Sequence, residues 1–490
     1  EPGFDAAADY VAARFEALGL KPGAGRGWFQ PVTLRASKRE ADAAFASLSR
    51  DGKESDPLVH GKDYLIGRSL ASSTFDISAP TVFVGYGVSE PGIGYDDYAG
   101  MDVAGKIVIA FGDAPKSFDS EQYAYFRTGD YKLKTAAKKG AIGFVTIPSK
   151  AQLQRFPWDR QVLFSDRERI TWVHPDGVGD VAAREIRGSA SMSPAGAAKL
   201  FDGEKTSFAD LQAAVEAKAP LTSFALNKSL TLRGASTFTE KPSANVVGVI
   251  SGADPDLRDE VVVLSAHLDH VGVFEPRGGG EDKIHNGALD NAMGVATMLD
   301  VARTFANGEP PARTLVFLAV TAEEKGLIGA DYFAHYPTIG DREIVANVNL
   351  DMPLALYPFS DVIAFGAERS TLGELVRDAA ARMDVEVIPD PIPEFGIFTR
   401  SDHYRFVEQG VPSVFLFLGF GNGGEDVFRN FMATHYHQPS DDLNLPIDYQ
   451  AAARFAKLNY LVAREVADAA AAPQWIEGDF FGERFSGDKD

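Results

Sequence analysis

Histidines and carboxylates stand at the ends of predicted strands in the second half of the sequence. The set is His267, Asp269 and His270 after a strand at 261–266, Asp290 just before a helix, Glu323 and Glu324 after a strand at 314–320, Asp351 after a strand at 345–350, and His437. Several carboxylates buried at one place need cations, because an unpaired buried charge is costly. Imidazole and carboxylate without thiolate suit zinc, and also cobalt or manganese. The pattern therefore indicates a site for divalent metal.

Each motif also has an ordinary structural interpretation. A lone His-x-Asp is often a hydrogen-bonded pair, and a lone Glu-Glu is usually a solvated helix start. The repeated placement at strand ends favours the metal site. For some histidines in or near the motifs we expect hydrogen-bonding, surface or supporting roles: His270, His285, His403 and His435.

Other chemistries are excluded by what the sequence lacks. The chain contains no cysteine, so it has no disulfide, no thiolate ligand and no cysteine nucleophile. Neither the G-x-S-x-G turn of serine hydrolases nor the H-E-x-x-H zinc helix occurs. The 48 Lys and Arg against 69 Asp and Glu give a net charge of −21, which argues against nucleic acid as a partner. No apolar run approaches the roughly 20 residues of a membrane span.

Strands and helices alternate from residue 243 onward. The predicted strands are 245–250, 261–266, 314–320, 345–350 and 413–418, and the predicted helices are 292–305, 327–335 and 371–383. Continuous apolar strands alternating with amphipathic helices predict an α/β fold, with a largely parallel or mixed central sheet flanked by helices. In such sheets the functional site lies beyond the carboxyl ends of the strands, where the candidate residues stand.

Three segments are predicted along the chain. Residues 1–74 form the N-terminal part of the main domain, residues 75–238 form an inserted α/β domain that is clearest at 75–150, and residues 239–490 form the catalytic domain. The inserted domain contains a lysine-bearing helix at 131–139, whose lysines we expect on a solvated face.

Six motifs resemble those of the co-catalytic zinc exopeptidases of the M28 type, which include bacterial secreted aminopeptidases. They are AHLDHVG at 266–272, NGALDNAMGVA at 286–296, VTAEEKGLIGA at 320–330, NVNLDM at 347–352, TRSDHYRF at 399–406 and HYHQPSDDL at 435–443. The resemblance covers roughly 240–465 and a start at 8–22. The 75–150 module resembles the protease-associated (PA) domain that some of these enzymes carry as an insertion.

The resemblance implies two zinc ions, with cobalt or manganese as substitutes. Asp290 would bridge the two ions. One ion would take His267 and Asp351, and the other Glu324 and His437. Three protein ligands for each ion leave a shared position for water, as an open catalytic site requires.

The resemblance also implies roles in catalysis. Glu323 would be the general base, and Asp269 would fix the tautomer of His267. Tyr436 and Arg400 match positions that help to stabilise the developing oxyanion in relatives.

The implied activity is that of a zinc aminopeptidase acting on peptides with a free N-terminus. A carboxypeptidase or an acyl-amino-acid deacylase could use the same ligands, but the motifs offer little arginine beyond Arg400, while Glu281, Asp282 and Glu323 favour an ammonium group. A third alternative is a binding protein that has lost catalysis, which should lack ligands that are all present here. The resemblance further implies an exported protein, periplasmic or secreted, whose leader is absent from this chain.

Overall fold

The computed structural model describes residues 2–54, 57–277 and 279–487, and the chain divides into two compact units. The first unit combines Glu1–Thr33 with Pro242–Asp490, and the second is Leu34–Lys241. Within the described ranges, no helix has the length and apolar character needed to cross a bilayer.

The first unit is built on a mixed sheet with a parallel centre. Its strands are the end of Phe224–Ile250, then Glu260–His267, Thr314–Val320, Glu343–Asn349, Asp361–Phe365, Glu386–Ile388 and Ser413–Leu418. Strand Glu260–His267 pairs in parallel with Thr314–Val320 on one side and Glu343–Asn349 on the other. The carboxyl ends of these three strands therefore meet at one edge of the sheet.

Helices cover both faces of this sheet because its strands are apolar on both sides. Val262 and Leu264 point into one core, and Val261 and Val263 point into the other. The helices of this unit are Pro2–Ala17, Met293–Ala306, Ile328–His335, Leu372–Ala381, His403–Val407, Gly424–Thr434, Tyr449–Asp468 and Phe480–Phe485. The predicted α/β fold class is confirmed.

The second unit has its own sheet. Its strands include Phe45–Arg50, Tyr64–Ile66, Thr74–Phe83, Ile107–Phe111, Gly143–Ile147, Gly188–Met192 and the first part of Phe224–Ile250. Its helices are Ser120–Phe126, Gly129–Lys138, Lys150–Arg155, Trp158–Phe164, Pro194–Leu200 and Phe208–Glu216. Strand Ile107–Phe111 pairs in parallel with Thr74–Phe83 and with Gly143–Ile147.

The boundaries of this unit differ from the predicted 75 and 238. Residues 34–74, which the sequence predicts as part of the main domain, lie in the second unit. The reason is strand pairing: Phe45–Arg50 pairs with residues 229–233, and Tyr64–Ile66 pairs with residues 190–192. These strands are short and have no long apolar run. The sequence therefore does not predict which of the two sheets they join.

Lys132 departs from the solvated face expected for its helix. The side chain is buried, and Nζ donates hydrogen bonds to the backbone oxygens of Tyr86, Phe111 and Asp113 at 2.5–2.6 Å. Burial lowers the pKa of Lys132 to about 7. This lysine therefore ties three segments of the second unit together, while Lys134, Lys138 and Lys139 are exposed as expected.

Candidate metal centre

The structure brings the five predicted metal ligands together at the carboxyl edge of the first unit's sheet. His267 closes strand Glu260–His267, Glu324 follows Thr314–Val320, and Asp351 follows Glu343–Asn349. Asp290 precedes helix Met293–Ala306, and His437 follows helix Gly424–Thr434. All five line one cavity of about 80 Å³.

Asp290 lies at the middle of this group, with one carboxylate oxygen toward each side. Its Oδ1 is 3.2 Å from His267 Nε2, which is also 3.1 Å from Asp351 Oδ1. Its Oδ2 is 3.3 Å from His437 Nε2, which is also 3.2 Å from Glu324 Oε2. The donors thus form two groups that share one carboxylate.

The spacing of these atoms fits zinc. Bonds of about 2.0–2.1 Å in a tetrahedral site separate neighbouring ligand atoms by about 3.3 Å. The four donor–donor distances around Asp290 run from 3.1 to 3.3 Å. The donor set, two imidazoles and three carboxylates without sulfur, is also one that zinc accepts.

The carboxylates among the five predicted ligands favour positive charge on their neighbours. Burial opposes a charge on His267, but Asp351 and Glu323 raise its pKa well above the usual value. Burial likewise opposes a charge on His437, but contacts with Asp290 and Glu324 raise its pKa to about 9. The carboxylates around the two imidazoles thus favour positive charge, which a divalent metal would supply while both imidazoles stay neutral as ligands.

Hydrogen bonds fix two of the carboxylates from behind. Ser401 Oγ donates to Asp351 Oδ2 at 2.6 Å and accepts from Asn349 Nδ2 at 2.7 Å, which leaves Oδ1 of Asp351 toward His267. Asp441 accepts from the backbone N–H groups of Leu289 and Asp290 at 2.9 and 3.0 Å. Ser401 and Asp441 both lie inside the quoted motifs, but the sequence predicts no site role for either residue.

Asp269 differs from its predicted role. His267 Nδ1 contacts the backbone oxygen of Asp269 at 3.0 Å, not the carboxylate. The Asp269 carboxylate instead accepts from the backbone N–H groups of Glu323 and Glu324, at 2.9 and 3.2 Å. Asp269 thus positions the two glutamates, and its backbone carbonyl positions His267.

Glu323 lines the same cavity but belongs to neither donor group. Burial raises its pKa well above the usual value, and the negative charges of Asp402 and Asp351 add to the effect. Asp402 is itself buried, and neither of its carboxylate oxygens has a hydrogen-bond partner among the described residues. Two buried acids near each other favour holding a proton at this place.

Tyr436 and Arg400 also line the cavity. Burial and the nearby charge of Asp290 raise the pKa of Tyr436, so its hydroxyl remains a donor. The apolar residues of the cavity lining are Met352, Phe395, Ile397, Phe415, Phe417, Phe428 and Met432. The cavity therefore combines polar, metal-binding residue types with apolar residues that suit an apolar side chain.

The other histidines of the motifs lie in different surroundings. His403 is fully buried beside Phe398 and Phe415, and burial lowers its pKa to about 3. His435 Nδ1 contacts Ser440 Oγ at 2.9 Å, and His285 stacks on Phe274. His270 alone among these four lies against the carboxylates, with Nδ1 2.8 Å from Glu324 Oε1.

Comparison with known proteins points to a peptidase family. Residues 245–463 match the model of Peptidase family M28. Aminopeptidase YwaD of Bacillus subtilis is 26% identical over 212 residues, which cover 42% of this chain and 41% of the relative. A probable zinc metalloprotease of Pyricularia oryzae is 29% identical over 260 residues, covering 46% of this chain and 50% of the relative. The chain thus spans half or less of the length of these curated relatives.

Among solved structures, an aminopeptidase from Aneurinibacillus sp. strain AM-1 aligns over 96% of this chain and 90% of its own, with 17% identity and a TM-score of 0.49. The zinc aminopeptidase BSAP from Bacillus subtilis aligns over 96% of this chain and 90% of its own, with 18% identity and a TM-score of 0.40.

Proposed function

We propose that this chain, whose residues 245–463 match the model of Peptidase family M28, is a metal-dependent exopeptidase that removes residues from the free N-terminus of peptides. The observation that supports this most is the position of Asp290. Its two oxygens each face a separate imidazole and carboxylate, as a ligand shared by two ions requires.

His267 and Asp351 would hold one zinc ion, Glu324 and His437 the other, and Asp290 both. Two zinc ions bound there supply the polarised carbonyl and the activated water that amide hydrolysis needs. Glu323 takes a proton from the attacking water and delivers it to the leaving amine. Burial raises the pKa of Glu323, and the positive charge of bound zinc ions would lower it again, so that the carboxylate can accept the proton.

The remaining cavity residues orient the substrate. Tyr436 and Arg400 donate hydrogen bonds toward the oxygen that becomes negative as the carbonyl is attacked. The Glu323 carboxylate in the cavity, together with Glu281 and Asp282 on an exposed loop outside the cavity lining, favours the ammonium group of a free N-terminus. Arg400 also supports a second candidate, a carboxypeptidase or acyl-amino-acid deacylase, because it could bind a substrate carboxylate.

The proposal also covers the type of domain that the second unit forms and the place where the enzyme acts. The second unit, Leu34–Lys241, would be a protease-associated domain, since its parallel strands and short helices form a separate α/β core. The enzyme would act outside the cytoplasm on peptides, as the resemblance to secreted aminopeptidases suggests.

The test compares leucine p-nitroanilide with its N-acetylated form, before and after a chelator. We expect turnover of the free amine only, loss of activity on chelation and recovery with zinc or cobalt. Release of acetate from N-acetylleucine, with no turnover of either anilide, would favour the deacylase. Full activity in protein shown to be metal-free would exclude the proposed mechanism.

A further inference from the structure

His270 has no established role in the proposed chemistry, yet it lies inside the acidic cluster. Its side chain is 8% exposed, and Nδ1 is 2.8 Å from Glu324 Oε1 and 3.9 Å from Asp290 Oδ2. These three residues place one ligand-type atom each within 4.8 Å of one another.

The contact between His270 and Glu324 lacks the alignment of a hydrogen bond. Among the described residues, neither ring nitrogen of His270 has a hydrogen-bond partner, and Glu324 Oε1 has none either. A buried imidazole and a buried carboxylate oxygen each need a partner, because leaving them unpaired is costly. A cation bound by both atoms supplies that partner without a hydrogen on the line between them.

Glu324 connects His270 to the second donor group. Its Oε1 faces His270, while its Oε2 is 3.2 Å from His437 Nε2. The two imidazole rings have centroids 5.5 Å apart and planes at 80°. The four distances that join His270 and His437 to Asp290 and Glu324 are 2.8, 3.2, 3.3 and 3.9 Å, which scatter about the roughly 3.3 Å edge of a tetrahedral zinc site.

The ring is also held in place from the other side. A Cβ at Gly287 would lie 2.9 Å from His270 Cγ, so only glycine lets the imidazole pack this closely on the loop that carries Asp290. The backbone of Gly287 has φ of +68°, which glycine adopts without strain.

We propose that His270 is a ligand of the second metal position through Nδ1. The inference rests on the proposed function insofar as metal binds here at all. The second position then has two imidazoles, Glu324 and the shared Asp290, while the first has His267, Asp351 and Asp290 and keeps the open position for water. The second position therefore binds zinc more tightly, and the two ions leave in sequence under a chelator.

His335 provides a control. It is exposed at the end of helix Ile328–His335, where its Nδ1 contacts the Asp331 backbone oxygen at 2.9 Å, and it does not line the cavity. His335→Ala should therefore leave metal affinity unchanged, while removing a histidine of the same unit.

The first experiment titrates metal-free protein with cobalt and follows visible absorption and competition with a chelating dye. We expect two cobalt ions in the wild type, and in His270→Ala a loss of affinity at the tighter position by at least 10–100-fold together with a changed spectrum. His270→Gln serves as a second variant if the alanine variant folds poorly. Unchanged affinities and spectrum, or weaker binding with an unchanged spectrum, would overturn the assignment of His270 as a ligand.

The second experiment needs no variant. X-ray absorption of wild-type protein loaded with one zinc per chain should show two imidazoles on that ion. A single imidazole would overturn the inference and leave the proposed function intact. Wild-type protein that binds no zinc or cobalt would instead overturn both.

Discussion

Glu323 and Glu324 are neighbours in the chain but face different partners. The carboxylate of Glu324 lies between His270 and His437, and these imidazoles hold its pKa below the usual value against the effect of burial. Glu323 lies in the cavity with a pKa raised by burial. Asp269 accepts a backbone hydrogen bond from both residues, so one carboxylate sets the direction of each glutamate.

This division predicts opposite outcomes for two matched substitutions. Glu323→Gln keeps the size of the side chain but removes the base, so metal content should remain near that of the wild type while kcat falls by roughly 10²–10⁴-fold. Glu324→Gln should weaken metal binding, because an amide is a poorer ligand than a carboxylate. Metal analysis and steady-state kinetics on both variants check this.

The reverse result, with metal lost from the Glu323 variant and kept by the Glu324 variant, would show that the two roles are exchanged. Glu374→Gln is a suitable control, since Glu374 is exposed on helix Leu372–Ala381 and does not line the cavity.

Among single residues, the sequence predicts those whose side-chain type can itself bind metal or transfer a proton. The five proposed ligands are all His, Asp or Glu at strand or helix ends, and the fold does bring them together. Ser401 and Asp441 act on Asp351 and on the backbone near Asp290, across 50 and 151 residues of chain. No local pattern reveals such contacts, because they exist only after the sheet has formed.

At the scale of elements, the start of helix Met293–Ala306 packs against the end of strand Glu343–Asn349. Asn291 joins them: its Nδ2 donates to Leu350 O at 2.9 Å, and its Oδ1 accepts from the backbone of Gly294 and Met352. A Cβ at Gly294 would lie 2.1 Å from Asn291 Oδ1 and 2.4 Å from Leu350 O. The close approach holds Asp290 and Asp351 on one side of the helix start.

Gly294→Ala should therefore lower the free energy of unfolding by at least about 1–3 kcal/mol, the usual effect of overpacking. Urea unfolding of metal-free protein measures it. Gly27→Ala is the control, because a Cβ at Gly27 meets no atom within 4 Å, and it should change stability by less than about 0.5 kcal/mol. Equal stability of the two variants would contradict this account of the helix start.

Strands of the first unit's sheet are the elements that the sequence predicts best. Thr314–Val320 and Ser413–Leu418 have the predicted bounds, because each is a continuous apolar run buried on both faces. Phe224–Ile250 is much longer than the predicted strand at 245–250. Before residue 245 this segment has no continuous apolar run. It is a strand there because it pairs with strands that lie far away along the chain.

At the scale of the whole molecule, charge is divided unevenly along the chain. Residues 34–241 carry 27 Lys and Arg against 26 Asp and Glu, a net charge of +1. The remaining residues, which form the first unit, carry 21 against 43, a net charge of −22. The unit that holds the candidate metal centre therefore produces a negative field that attracts cationic peptides.

This field predicts a salt-dependent preference. At low ionic strength, kcat/KM should be about tenfold or more higher for a peptide with lysines after the first residue than for one with glutamates. The ratio should approach one at 1 M salt, where the screening length falls to about 3 Å. A peptide with serines at those positions is the neutral reference, and a ratio independent of salt would show that local contacts cause the preference.

The proposed ligands are spread over 170 residues of chain, from His267 to His437, and they come from separate connections of the sheet. An unfolded chain cannot hold an ion at such a site, so binding is linked to folding. Each tenfold rise in free zinc above the dissociation constant then adds about 1.4 kcal/mol to the stability of the folded state for each ion bound. Storage or purification with a chelator would thus lower the melting temperature of a protein whose covalent structure is unchanged, and refolding would recover the ions only after the sheet is complete.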